Sequence, residues 1–272
     1  MTANPDSERF RSGAEKYAAY LETAEGRLRL DLAFANVQEC LPKTAQSLRA
    51  LDIGCGTGAT GVRLVGLGAH VTLLDSSEQM LELAERAAKE AGVIESIALK
   101  HFDVADLSNL FEAESFDVIL CHNVLEYVDD PMAVLRSTAR LLRHRASILS
   151  VLVRNRAGEV LKAAVREGDL SAADHNLTAD WGHESLYGGG VRLFAPEGLR
   201  DMLATASLEV TTERGVRVVS DYLPTTVSRN DEYARIFELE RKLGMRPEFA
   251  AVARYTHCLA HRRGPVMRTV HE

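Results

Sequence analysis

The run Leu51-Asp52-Ile53-Gly54-Cys55-Gly56-Thr57-Gly58 decides the fold of this chain. Its apolar lead-in (Leu48, Ala50, Leu51, Ile53) predicts a buried parallel strand, and the glycines turn the chain into a helix opening near Ala59. Gly54 and Gly56 let the backbone approach a ligand, and Gly58 suits close packing of helix on strand. Gly54, Gly56 and Ala59 also satisfy the dinucleotide pattern G-x-G-x-x-G/A. The loop alone therefore specifies a nucleotide-type ligand and no more.

Asp52 narrows the choice. A carboxylate two residues before the first glycine, at the mouth of the loop, repels a pyrophosphate and attracts a cation. S-adenosylmethionine has a sulfonium and an ammonium but no phosphate, so an acid here favours it over a nicotinamide dinucleotide. An N-cap or a solvated loop acid is the plainer alternative.

The strand–helix alternation continues downstream. His70 to Asp75 reads as a second buried strand, ending in an acid roughly twenty residues past the first glycine, where a carboxylate accepts from ribose hydroxyls. Capping of the next helix at Ser76 or Ser77 is the structural alternative. Ser77 and Glu78 open that helix, which runs to Ala91, and Met80 packs either in the core or against an adenine ring. Ile97 to Phe102 predicts a third strand, after which Asp103 can accept from an adenine amino group, with Asp106 as the alternative register. Phe116 to Cys121 predicts a fourth, and the loop after it lies where the strand order reverses, so His122 faces the ligand crevice or ends the strand as a satisfied histidine. Asp129-Asp130-Pro131 opens a helix through Leu142, and a fifth strand spans Ile148 to Val153.

The chain has 272 residues, 46% apolar and 26% charged, with a formal net charge of −7. That balance fits a globular protein and counts against a generally basic nucleic-acid binder. Cys40, Cys55, Cys121 and Cys258 show neither C-x-x-C spacing nor close His pairing, so no metal is expected. The N-terminus has no signal-like pattern and no apolar run is long enough to span a bilayer, so a cytoplasmic location is expected. The first forty residues predict helices running through Tyr17, Leu21, Leu28, Leu32 and Ala35 until Pro42. Tyr17, Tyr20, Arg27 and Arg29 in them read mostly as a charged outer face.

Five β/α alternations with acids at strand ends describe a Rossmann-like three-layer α/β sandwich. The segments LDIGCGTG (51–58), LLDSSEQML (73–81) and FDVILCHNVLEYVDDPMAVL (116–135), in this order and spacing, resemble the class I S-adenosylmethionine-dependent methyltransferases. Leu141 to Ala146 departs from the Pro-Gly-Gly turn that many relatives carry there. The resemblance implies a seven-stranded, mostly parallel sheet with an antiparallel edge strand, and S-adenosylhomocysteine as product. A narrower likeness covers Gly26-Arg27-Leu28-Arg29, Gly215 to Val218 with Asp221-Tyr222-Leu223, and Ala253 to His257. These stretches are similar to the bacterial tRNA carboxymethoxyuridine methyltransferases, which esterify a carboxylate on a wobble uridine. By that analogy Arg29, Gly54, Cys55, Asp75, Val104, Ala105 and His122 line the cofactor site, and Arg29 pairs with the methionyl carboxylate. The candidate cofactor set is then Arg29, Asp52, Gly54, Cys55, Gly56, Asp75, Ser76, Met80, Asp103, Val104, Ala105 and His122.

The chain divides, within one domain, into an N-terminal helical cap (1–45), a cofactor-binding core (46–154), an insertion (155–194) and a C-terminal part of the sheet (195–272). The insertion carries Asp169, Asp174, Asp180 and Glu184 before Gly188-Gly189-Gly190, and its place after the fifth strand suggests a substrate lid or a plain surface insertion. Pro196 to Ala206 predicts a helix, Leu208 to Thr212 and Arg217 to Ser220 short strands, Asp231 to Leu243 a helix, and Ala251 to Ala260 a last strand, which the family resemblance implies joins antiparallel at the sheet edge. The acceptor is a tRNA or a small molecule. A carboxylate acceptor needs no base, only guanidiniums to orient it. Arg217 and Arg254 are the candidates, with Arg192 and Arg156 behind them; for a hydroxyl or amine, Tyr255 or His122 would take the proton.

Overall fold

Two helices, α1 (Pro5–Glu22) and α2 (Ala24–Cys40), open the chain in the computed structural model, which describes residues 5–42, 47–184, 186 and 188–264. Thr23 caps α2, its hydroxyl accepting from Gly26 N at 3.1 Å. A Cβ on Gly26 would stand 2.1 Å from Tyr20 O, so only glycine allows so sharp a turn between the helices. The boundary drawn at 45/46 lies outside the described residues.

The core follows as β1 (Arg49–Ile53), α3 (Ala59–Gly66), β2 (His70–Asp75), α4 (Glu78–Glu90), β3 (Ile97–His101), α5 (Leu107–Leu110), β4 (Val118–His122), α6 (Pro131–Leu141) and β5 (Ile148–Arg154). The predicted elements are present, with ends moved by a residue or two. Ser77 caps α4 by accepting from Met80 N, and Asp130 caps α6 with Pro131 in its first turn. Beyond β5 come α7 (Arg156–Leu161), a π-helical turn (Lys162–Glu167), α8 (Leu170–Asn176) and an antiparallel ribbon of β6 (Trp181–His183) and β7 (Gly190–Arg192). The chain closes with α9 (Pro196–Thr205), β8 (Leu208–Val216), α10 (Tyr233–Gly244), α11 (Pro247–Ala250) and β9 (Tyr255–Arg262).

The sheet order is β3-β2-β1-β4-β5-β9-β8, parallel as far as β5 and antiparallel from there. Leu51 and Ile53 pack beneath α6 and α9 on one face, and Ala50, Val71 and Leu73 against α2, α3 and α4 on the other. The result is the expected three-layer sandwich. Two details differ. The last strand lies one place in from the edge, because β8 is a single nine-residue strand that pairs along its whole length outside it. Arg217 to Ser220, expected as a strand, instead turns away, with Arg217 at φ 61°.

That turn is pinned by Glu240 of α10, a fully buried carboxylate. Val218 N donates to its Oε2 at 2.5 Å, and Val219 N and Ser220 N donate to its Oε1 at 2.9 and 2.6 Å. Helix α10 comes close enough to reach because Gly244 has no side chain; a Cβ there would stand 2.2 Å from Gly215 O. Replacing Glu240 by Ala strands three backbone donors, those of Val218 and Ser220 buried and that of Val219 half-buried. We expect Glu240→Ala to lower unfolding stability by roughly 3 kcal/mol, and Glu240→Gln by less. Urea unfolding of the two variants checks this; equal, small losses would contradict it.

Candidate active-site cleft

Every strand of the sheet places a residue of interest at the same edge, the carboxyl ends of the parallel strands. In spatial order these are Asp103 beyond β3, Asp75 of β2, Gly54 and Gly56 after β1, His122 of β4, Arg154 of β5, Tyr255 of β9 and Arg217 after β8. Strands about 4.8 Å apart spread this row over roughly 29 Å. The residues line one cleft of about 690 Å³.

At one end the site is built from backbone. Gly54, Gly56 and Gly58 all have positive φ, at 60°, 53° and 71°. A Cβ on Gly54 would stand 2.6 Å from Val124 Cγ2, and one on Gly58 2.9 Å from Ala84 Cβ, so the loop is sealed on both sides. Asp75 fixes it by accepting from Gly56 N and from Ser77 N, each at 2.9 Å. Burial pushes its carboxyl up, against those two N–H groups. Each carboxylate oxygen keeps acceptor capacity toward the cleft. Ser76, Met80, Asp103, Val104 and Ala105 complete this wall, and Asp103 Oδ1 accepts from Ala105 N at 2.9 Å.

Two candidate residues stand elsewhere. Asp52 shares its strand face with Ala50, so alternation turns it under α3, where an oxygen lies 3.4 Å from the Cβ position of Gly61. It does not line the cleft, and burial, with Asp75 nearby, pushes its carboxyl up to about 7. The side chain of Cys55 packs on the face of the sheet that holds Ala50, Val71 and Leu73, its thiol donating to Gly56 O at 3.7 Å and its backbone N to Leu74 O at 3.0 Å. Arg156 and Arg192 also lie outside the cleft lining, Arg156 paired with Asp180 at 2.6 Å.

His122 sits mid-cleft at the head of a buried relay. Its Nε2 lies 2.7 Å from Ser150 Oγ, which lies 2.7 Å from His257 Nε2, while His257 Nδ1 meets Asn36 Nδ2 at 3.1 Å. Burial drives His122 down to about 3 and His257 well below its usual value, so both rings are neutral. With the Asn36 amide donating, the proton order runs outward and His122 Nε2 accepts from Ser150. The ring is an oriented strut and a poor base.

The other end is cationic. Arg29 donates to Asn123 Oδ1 at 2.9 Å and to Tyr17 OH at 2.8 Å, among the rings of Tyr17, Tyr20 and Tyr255. It is buried, and among the described residues it alone of the cleft-lining arginines forms no ion pair. Arg217 is gripped by Asp221 and donates to Tyr20 OH at 2.9 Å. Arg154 pairs with Glu159 and Glu184. Arg254, 5% exposed, lies 2.7 Å from Glu159 and 3.2 Å from Asp221, but none of its guanidinium nitrogens makes an aligned hydrogen bond among the described residues. Besides Arg29, this end of the cleft holds five cations (Arg154, Lys162, Arg166, Arg217, Arg254) against Glu159, Glu167, Glu184 and Asp221. Glu126 stands behind Asn123 with its carboxyl pushed up by burial toward the neutral form.

Tyr17, Tyr20, Asn123, Tyr127, Arg154 and Glu184 line the cleft without having been singled out for it. Arg154 had a usable signal, being the last residue of the strand next to His122. Asn123 had another, as asparagine tolerates the left-handed backbone it adopts there (φ 55°).

A family profile described as a methyltransferase domain matches residues 51–150. The tRNA 5-carboxymethoxyuridine methyltransferase of Escherichia coli is 29% identical over 260 residues, spanning 92% of this chain and 94% of that protein. A ubiquinone biosynthesis O-methyltransferase of Hahella chejuensis is 30% identical over 189 residues, 70% of this chain and 72% of that one. The same fold occurs in a Burkholderia thailandensis 1,6-didemethyltoxoflavin-N1-methyltransferase crystallised with 1,6-didemethyltoxoflavin and S-adenosylhomocysteine. That match has 16% identity and a TM-score of 0.60, and covers 97% of this chain and 92% of that one. The chain belongs to the class I S-adenosylmethionine-dependent methyltransferases. It is an enzyme of that family, and S-adenosylmethionine is its methyl donor. The residues fit that cofactor: the glycine cradle excludes any Cβ, and Arg29 is a buried cation without a carboxylate.

Tyr255 provides a test of the cationic end. Burial alone would raise its phenol, but Arg154, Arg29, Arg217 and Arg254 together outweigh it and bring it down to about 8. The folded state therefore holds this proton less tightly than the unfolded chain, whose tyrosine titrates near 10. The stability this confers is present above pH ~10 and is lost as pH falls through about 8. Ultraviolet titration should show one tyrosine ionising near pH 8, a step missing in Tyr255→Phe. A wild-type curve without it would contradict the arrangement.

Proposed function

We propose that this enzyme methylates a carboxylate, that of a carboxymethoxy-modified uridine in tRNA. The observation that carries the reading is Arg254, a buried guanidinium held by charge yet lacking aligned hydrogen-bond acceptors. Such a group calls for a bidentate anion, which a carboxylate matches. The likeness to the Escherichia coli tRNA enzyme across nearly the whole chain supports it.

In this reading Asp75 accepts from the ribose hydroxyls, Met80 and Asp103 meet the adenine ring and its amino group, and Arg29 takes the methionyl carboxylate. When bound, S-adenosylmethionine supplies an electrophilic methyl group and a neutral thioether leaving group. Arg254, with Arg217 and Arg154 behind it, would hold and orient the acceptor carboxylate toward the bound donor. A carboxylate is nucleophilic without losing a proton, so none of these residues would act as a base. Alignment of this kind in a water-poor cleft contributes roughly 7–11 kcal/mol to lowering the barrier.

A second reading rests on Tyr255. A phenol titrating at about 8 could serve as base for the hydroxyl of a small molecule, the chemistry named for the Hahella relative. Incubation with methyl-labelled S-adenosylmethionine and tRNA, followed by nucleoside analysis, separates the two. We expect a base-labile methyl ester on the carboxymethoxyuridine, and at least a tenfold lower kcat/KM in Arg254→Lys, about 1.4 kcal/mol of transition-state binding. Label confined to an ether on a small molecule, with tRNA unlabelled, would overturn the carboxylate reading.

A further inference from the structure

The insertion ends in a ribbon whose outer face carries an unusual pair. Trp181 and Arg192 stand opposite each other across β6 and β7, with the guanidinium 4.7 Å from the ring centroid. The indole lies across Gly190, whose Cβ position is 3.6 Å from Trp181 Cε3, and it is 50% exposed. Arg192 forms no ion pair and no side-chain hydrogen bond among the described residues, and its Nε is buried without a partner. The neighbouring cations are different: Arg156 pairs with Asp180, and Lys162 with Glu159 and Glu167. The ribbon sits on the rim of the cleft, for Arg192 N donates to Glu126 O at 3.1 Å and Glu184 reaches the lining.

A half-exposed indole and an uncompensated guanidinium held against it ask for a ligand with a flat π-face and a negative charge beside it. A nucleotide has both, and an unpaired base exposes its face where a duplex does not. We propose that Trp181 and Arg192 form a stacking site for an unpaired nucleobase of an RNA loop, next to the nucleotide that enters the cleft. The site rests on the tRNA reading above. It also reconciles that reading with the chain's acidic balance: stacking carries the contact, and one guanidinium meets one phosphate. Binding should then weaken with salt at a slope near −1, far shallower than for a basic surface.

Trp181 is the only tryptophan in the chain, so its fluorescence reports the contact directly. The test titrates the full chain, with S-adenosylhomocysteine present, against an anticodon stem–loop hairpin and a blunt RNA duplex of equal length. The hairpin should quench Trp181 and the duplex should not. Anisotropy of a labelled hairpin should show about tenfold weaker binding for Trp181→Ala and for Arg192→Ala, with Trp181→Phe close to wild type. Calorimetric affinity for S-adenosylhomocysteine should stay unchanged in all three, which separates a lost contact from a misfolded variant. Equal quenching by the duplex, or unchanged hairpin affinity in Trp181→Ala, overturns the inference. If tRNA is methylated while Trp181→Ala binds as wild type, the stacking site alone falls. If the hairpin neither binds nor is methylated, the tRNA reading falls with it.

Discussion

Four guanidiniums, those of Arg29, Arg154, Arg217 and Arg254, converge on the buried phenol of Tyr255. Arginine does not shed its charge, and three of the four are paired with carboxylates, while Arg29 has the neutral partners Asn123 and Tyr17. The three carboxylates each come from a segment beyond the five-strand core. Glu159 belongs to α7, Glu184 follows β6, and Asp221 sits in the turn after β8. Arg254 and Arg154 hold Glu159 below its usual range, and Arg217 and Arg254 do the same for Asp221, in each case against the burial that alone would raise it. These ion pairs tie the insertion and the turn after β8 to the cleft, in addition to the pairing of β9 with β5 and the packing of α9 in the core.

The constraint propagates outward through packing. Asp221 can grip Arg217 only because the turn between them is fixed, and Glu240 fixes it by taking three successive backbone N–H groups. Helix α10 reaches that turn because Gly244 rides directly on Gly215. At the junction of β5 with β9, Gly158 lets α7 lie against the backbone of Ala253 and Arg254, where a Cβ would stand 2.3 Å from Ala253 O. Asn155 closes the same junction by donating to Ala251 O and Ala253 O, each at 2.9 Å. Small residues at the contacts bring the carboxylates within reach of the arginines.

The two ends of the cleft were not equally legible in the sequence. The cofactor end is local: glycines, Asp75 and Asp103 follow their strands at short spacing, and the strand boundaries follow from apolar runs. Asp52 is expected at the mouth of the loop from its spacing to Gly54, but side-chain alternation along β1 sends it under α3 instead. The cationic end is assembled from groups far apart in sequence, such as Arg217 with Tyr20 and Arg254 with Glu159; local stretches point to Arg217, Arg254 and Tyr255 but not to the partners that fix them. Strand β8 is expected to stop at Thr212, because Glu213, Arg214 and Gly215 interrupt its apolar character, yet it runs on to Val216. Pairing with β9 overrides that local signal.

The central claim is that this cationic end holds the acceptor's carboxylate while the glycine end holds the adenosine. A crystal structure of the enzyme with S-adenosylhomocysteine and 5-carboxymethoxyuridine tests it most directly. The account predicts the carboxylate within hydrogen-bond distance of Arg254, with one oxygen facing the sulfur and the ribose hydroxyls on Asp75. A nucleoside whose carboxylate points to solvent, or an adenosine lying against the arginines, would contradict it.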